Sequence, residues 1–220
     1  MSQAPSPRTE VKRLPERAVY DRDIIYGIVD EALICHVGTI DDGHPVVIPT
    51  IHARVGDTLY LHGSPGSRLL RGMRRGETVC VTVTLVDALV VARAAFHNSM
   101  NYRSVVVFGE PRIVSDEAEK KVAVRAVVDH VLPGRWDESR PMTDKELTAT
   151  LIAALPLAEA SAKIRTGPPK DEEEDYATRH WAGIIPVTMA PEGPVADPRL
   201  DGGIAAPPSV TGYARPSPAR

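Results

Sequence analysis

The stretch from His44 to Val114 limits what this chain can fold into more than any other. It is a succession of short runs rich in β-branched residues, each closed by a turn signal, with one short helix set among them. The runs predict antiparallel strands at Pro45–Ala53, Asp57–His62, Thr78–Leu85, Ala88–Ala94 and Tyr102–Val114. The turn signals are Asp41-Asp42-Gly43, Gly56-Asp57, Arg75-Gly76 and a corner at Val86-Asp87.

The helix expected at Gly66–Arg74 opens from His62-Gly63-Ser64-Pro65-Gly66-Ser67-Arg68. Small residues at a strand-to-helix junction leave backbone N–H groups uncovered, and a helix N-terminus favours an anion. Ser64, Ser67 and Arg68 add donors of their own, so this loop is the expected seat of a phosphate. Pro49, after Val46-Val47-Ile48, predicts a sheet edge or a bulge, with an interrupted ladder that leaves backbone groups free for a ligand. Thr78, Thr82 and Thr84 share one strand face, either a half-solvated surface or the polar wall of a cleft.

Either side of this stretch the periodicity changes. Asp21 caps a predicted helix to Glu31 whose Ile24, Ile25, Ile28 and Val29 fall on one face, and Leu33–Ile40 reads as a strand. Ser115 is the expected cap of a helix running to Val131, and Thr143 with Glu146 forms a capping box for Asp144–Leu151. Leu155–Arg165 and His180–Met189 read as the last strands, separated by the acidic run Lys170–Asp175, which predicts a solvated loop. Seven or so antiparallel strands with peripheral helices are most economically closed as a β-barrel or split barrel, because closure removes exposed edges.

Bulk properties narrow the function classes. A chain of 220 residues carries one sizeable core, and 43% hydrophobic with 25% charged residues is ordinary for a globular protein. A net charge of −3 gives no footprint for nucleic acid. No apolar run approaches the roughly 18 residues of a membrane span, and the N-terminus lacks the apolar core of a secretion signal, so the expected address is the cytoplasm. Cys35 and Cys80 lie in apolar runs and read as buried free thiols; no Cys/His spacing suggests a metal site. Twenty prolines concentrate at the ends, which makes residues 1–16 a flexible leader, 17–189 the domain, and 190–220 a disordered or draped tail.

With this strand order, Val46-Val47-Ile48-Pro49-Thr50, Leu59-Tyr60-Leu61-His62-Gly63-Ser64, Met100–Gly109, Ala160–Pro169 and Trp181-Ala182-Gly183 carry a resemblance. The chain resembles the pyridoxamine 5′-phosphate oxidase-like, FMN-binding split-barrel superfamily, and within it the flavin-nucleotide-binding and nitroimidazole-resistance branch. The resemblance spans Arg17 to Val187. It implies FMN held between two subunits of a homodimer, with Val47, Ile48, Pro49 and Thr50 beside the ring. Leu61 and His62 would face the flavin, and Ser64, Ser67 and Arg68 would hold its phosphate. Ser104 stands where the oxidases carry a glutamine that reaches the flavin from the partner subunit. Trp181 is expected as a flavin neighbour, or as a core or interface anchor. The residues that hold the substrate phosphate in those oxidases have no match here, so pyridoxal phosphate synthesis is not implied.

The expected activity is an FMN-dependent oxidoreductase. It would take electrons from a nicotinamide donor and pass them to a small electrophile such as a nitroaromatic or quinone, with His62 as the proton-handling residue. The alternatives are a non-catalytic FMN carrier, a haem-binding barrel in which His62 or His97 is an axial ligand, and a deazaflavin protein.

Overall fold

Asp42 and Gly43 both take positive φ, 49° and 78°, which closes the two-residue hairpin that Asp-Asp-Gly predicts. The computed structural model describes residues 3–215; the extreme ends of the expected leader and tail, residues 1–2 and 216–220, lie outside them. In chain order the elements are β1 (Ala18–Val19), α1 (Arg22–Glu31), β2 (Ile34–Asp41), β3 (His44–Val55), β4 (Thr58–Gly63), α2 (Arg68–Arg74), β5 (Val79–Val91), β6 (Ser99–Gly109) and β7 (Arg112–Ile113). They continue with α3 (Glu117–Val131), α4 (Arg135–Glu138), α5 (Asp144–Ala149), β8 (Leu151–Pro156), β9 (Ala160–Arg165), β10 (Gly183–Pro186) and α6 (Pro208–Thr211). This is the mainly antiparallel β fold with peripheral helices that the sequence predicts. It divides into two units, residues 1–32, 82–107 and 159–189 in the first, and 33–81, 108–158 and 190–220 in the second.

In the second unit β2 pairs with β3 from Ile34↔Ile51 to Asp41↔His44, β3 continues into β4 from His52↔Leu61, and β8 joins β4 to β7, all antiparallel. Leu59, Leu61, Ile152 and Leu155 are wholly buried, and each such side chain stabilises the fold by about 1.5–3 kcal/mol. Tyr60, Ile152 and Ala154 pack with Val114, Ala123 and Val124, and with Leu147 of α5. The capping box at Thr143 and Glu146 is present; at α3 the cap is Asp116 rather than Ser115, its carboxylate accepting from the Glu119 N–H at 2.7 Å. In the tail, Ser209 of α6 donates its N–H to Glu138 of α4 at 3.1 Å.

In the first unit β9 pairs with β1 on one side and β6 on the other, and β10 pairs with β5 from Gly183↔Val91 to Pro186↔Ala88. Thr78–Leu85 and Ala88–Ala94 are one strand, not two. Asp87 makes no corner because its carboxylate is taken by Arg103 of β6 at 2.8 Å, and the same guanidinium holds Glu31 at the end of α1 at 2.5 and 2.9 Å. Two other strand expectations shift. Tyr102–Val114 breaks before Pro111, which has no N–H for the ladder, and Leu155–Arg165 is the end of β8 and the whole of β9, separated by a turn at residues 157–159 and paired with different neighbours. The leader is tied by Arg8 to Glu159 at 2.5 Å and by the buried Thr9.

The acidic run is not simply solvated. The Asp171 side chain is 0% exposed, accepts from the backbone N–H groups of Arg93 and Ala94, and pairs with the Arg93 guanidinium at 3.2 Å. Arg93 in turn stacks on Tyr176. Burial pushes the Asp171 carboxyl up, but the two N–H donors and Arg93 outweigh it and hold the group below its ordinary value. Asp171→Ala is therefore expected to release this loop. Limited proteolysis should cut at Lys170 at least about tenfold faster, and an unchanged cutting rate would refute the anchor.

Candidate functional site

The pleat of β2 and β3 sorts their residues onto two faces. Cys35, Val37 and Thr39 are buried, while Ile34, His36, Gly38 and Ile40 point the other way, opposite Ile51, Pro49, Val47 and Pro45. That second face is apolar and open: Val47 is 63% exposed, Ile34 52% and Ile40 54%. Along β3 the same alternation reaches Ala53, opposite Tyr60, but there the face is closed: both are buried, and Tyr60 packs with Ala123 and Val124 of α3. The open apolar stretch, which carries the imidazole of His36, suits a flat conjugated ligand.

Pro49 interrupts nothing: the β2–β3 register runs through it unbroken. A residue without N–H can stand only at a non-hydrogen-bonded position, so Pro49 and, four residues back, Pro45 turn their backbone groups away from β2. The intervening Val47 does the same. Among the described residues no strand pairs with the outer side of His44–Thr50, which is the edge that Pro49 predicts. Because both prolines lack donors, the edge offers carbonyls with one N–H between them, that of Val47. Ile48 and Thr50 turn their backbone groups inward to β2.

Leu61 and His62 lie on opposite faces of β4. Leu61 is wholly buried, and His62, opposite the buried Ile152 of β8, is half-buried. Its Nδ1 is sealed from solvent with no hydrogen-bond partner, and burial holds the imidazole below its ordinary pKa. It is therefore a neutral ring with an uncommitted nitrogen. The unfolded chain binds that proton near pH 6.5 and the folded chain resists it, so the stability His62 leaves intact above about pH 6.5 is lost as pH falls below it. Thermal midpoints of cofactor-free protein between about pH 7.5 and 5.5 should drop more for the parent than for His62→Gln. Equal slopes would contradict this.

The phosphate loop is less open than its sequence suggests. Ser64–Ser67 is a turn closed by the Ser67 N–H on the Ser64 carbonyl at 3.0 Å, and the helix starts at Arg68, not Gly66. Ser67 is the N-cap without a side-chain bond. Arg68 is exposed and ion-paired with Asp41 at 3.3 Å, so an anion here shares that arginine with a carboxylate.

Ser104 and Trp181 belong to the first unit. Ser104 stands opposite Lys163 and donates to its carbonyl at 3.3 Å. Trp181 is 66% exposed and lies over Gly183, where an added Cβ would meet its ring at 3.0 Å. His97 is engaged with Glu172 at 3.8 Å and with the Phe96 ring. His36 was missed by the sequence reading. The alternation Ile34-His36-Ile40 holds the signal, but apolar residues on both faces of the run hide which face is open.

The pyridoxamine 5′-phosphate oxidase profile matches residues 21–164. The chain belongs to the pyridoxamine 5′-phosphate oxidase-like split-barrel superfamily. Within this superfamily it is 42% identical to the flavocytochrome Anf3 of Azotobacter vinelandii, over 97% of this chain and 99% of that one, with a TM-score of 0.91. It is 38% identical to an FAD and haem binding protein of Mycobacterium smegmatis, over 89% and 96% of the two chains, with a TM-score of 0.85. A Bacteroides thetaiotaomicron protein linked to 5-nitroimidazole antibiotic resistance is 25% identical over 67% and 86%, with a TM-score of 0.58. No curated protein matches in sequence. Among the described residues no helix is long and apolar enough to cross a membrane.

Proposed function

We propose that this protein is a redox protein that holds a flavin nucleotide and a haem. The observation that carries the reading is the open apolar face of β2 and β3, which bears the His36 imidazole; on β4, His62 adds a neutral imidazole with an unpartnered Nδ1. Two relatives similar over most of their length, a flavocytochrome and an FAD and haem binding protein, support it. A flavin supplies exchange between two-electron and one-electron donors, and a haem supplies one-electron transfer.

This chain's own residues would do the following. The Val47 N–H and C=O, turned away from β2, make a donor–acceptor pair that matches the imide edge of a flavin, with Ile48, Pro49 and Thr50 continuing the strand beside it. His62, kept neutral by burial, has the lone pair an iron ligand needs; His36, on the open face of β2, is a second candidate imidazole. Ser64, Ser67 and Arg68 would take a phosphate. Ser104 and Trp181 remain candidate flavin contacts on the resemblance alone. A second copy of the chain would cover the open face, which sedimentation of the loaded protein reads as a dimer. Electrons would arrive from a nicotinamide donor and leave to a small electrophile such as a nitroaromatic or quinone.

The test is colour followed by reduction. Purified protein, or protein reconstituted with FAD or FMN and haem, should show flavin bands with a Soret band, and anaerobic NADH or NADPH should bleach the flavin. A chromophore that stays oxidised would leave a carrier, and absence of both bands after reconstitution would end the reading. For the phosphate, Arg68→Ala should weaken flavin binding about tenfold to a hundredfold, the worth of a charge-assisted bond. Asp41→Asn, which frees the same guanidinium, should strengthen it. Matching affinities in both variants would remove Arg68 from the site.

A further inference from the structure

Two arginines of the first unit are buried in opposite ways. Arg103, 16% exposed at its side chain, is gripped by two carboxylates. Arg165, at the end of β9, is only 8% exposed and has no carboxylate among the described residues. Its Nη1 donates to the Asn101 amide oxygen, and Asn101 is itself held by the Gly167 carbonyl at 3.1 Å. The Arg165 Nε and Nη2 have no partner among the described residues, and neither is sealed from solvent. Buried charges are ordinarily paired, because an uncompensated one costs several kcal/mol.

The surroundings add positive charge. Lys163, two residues back on the same face of β9, donates to the Arg13 carbonyl at 2.8 Å and meets no carboxylate among the described residues. Arg17, just before β1, acts on Arg165 electrostatically, and its own carboxylate contact is Glu16 at the 4.0 Å limit. Burial first, and Arg17 second, push the Arg165 guanidinium below its ordinary pKa. Tyr102 and Ser104 stand directly opposite Arg165 and Lys163, so two hydroxyls share this face.

We propose that Arg165, with Lys163, Arg17, Tyr102 and Ser104, forms an anion subsite that takes the phosphoryl oxygens of a nucleotide. A preset guanidinium fork fixed by Asn101, with donors left over and no internal counter-ion, is what bidentate phosphate recognition requires. The subsite does not depend on the flavin-and-haem reading, because inorganic pyrophosphate reports on it without any chromophore.

The experiment titrates full-length protein with pyrophosphate in chloride buffer and follows the thermal midpoint. At about a hundred times Kd the parent should gain about 5–10 °C, Arg165→Lys should need about tenfold more ligand, and Arg165→Met should show no gain. Circular dichroism before heating verifies that each variant is folded; if Arg165→Met is not, the parent titration and Arg165→Lys decide alone. FAD and NADPH then separate the sources. Weaker FAD binding in Arg165→Lys assigns the phosphoryl group to the flavin, weaker NADPH binding to the nicotinamide donor. A parent midpoint unmoved by pyrophosphate, or equal affinities in parent and variant for all three ligands, would overturn the subsite. Loss of haem alone would do so too, since it would make the partner a carboxylate.

Discussion

Arg103→Met should cost the folded state about 3–5 kcal/mol, a fall in thermal midpoint on the order of 6–20 °C for a chain of this size. The side chains of Arg103, Glu31 and Asp87 are only 16%, 13% and 24% exposed. The guanidinium spends Nη1 and Nη2 on Glu31, and Nε and Nη2 on Asp87. These bonds raise its pKa, the one to Glu31 first and the one to Asp87 second, so it stays charged throughout the working range. Methionine keeps the apolar stem but leaves two carboxylates facing each other in a place that water reaches poorly. The penalty is the stranded charge, not the lost contact. It should largely vanish in Arg103→Met with Glu31→Gln and Asp87→Asn, because removing a whole ionic group is close to neutral where removing one partner is not. A single variant within about a degree of the parent would show that the cluster is too hydrated to matter.

That cluster also shows what the sequence could and could not tell. The hairpin at Asp42-Gly43, the Asp21 cap and the Thr143–Glu146 box were legible because each is decided by neighbours in the chain. Asp87 was misread as a corner because its partner is 16 residues away, and no local rule announces that a mid-strand carboxylate has an arginine waiting. Asp171 failed the same way, in a run whose other members obey the expectation of solvent. Pro49 was half legible: the missing N–H gives the edge, but only the register shows that the ladder continues past it. Of the candidate site, the strand Val47–Thr50 and His62 follow from chain order. His36 and Arg165 need the pairing, since one is defined by the face it shares and the other by the carboxylate it lacks.

Leu61→Ala and His62→Ala, one residue apart, should separate stability from cofactor binding. Leu61 is wholly buried, with Ala153 opposite it on β8, so truncation removes apolar area and leaves a cavity, a loss of about 2–5 kcal/mol. That is a shift of about 4–20 °C in thermal midpoint. His62 is half-buried with an Nδ1 that bonds to nothing, so its removal strands no partner and should cost less than about 1 kcal/mol. The cofactor signal should do the reverse. In protein that remains folded, Leu61→Ala should keep its Soret band and His62→Ala should lose it, because only the imidazole can donate a lone pair to iron. Retention of the band in His62→Ala with loss in His36→Ala would move the ligand two strands across, from β4 to β2. Retention in both would detach the haem from these two imidazoles altogether. Loss in Leu61→Ala at full folding would tie the haem to the packing of β4 rather than to the imidazole, since Leu59, Tyr60 and Leu61 are all buried there.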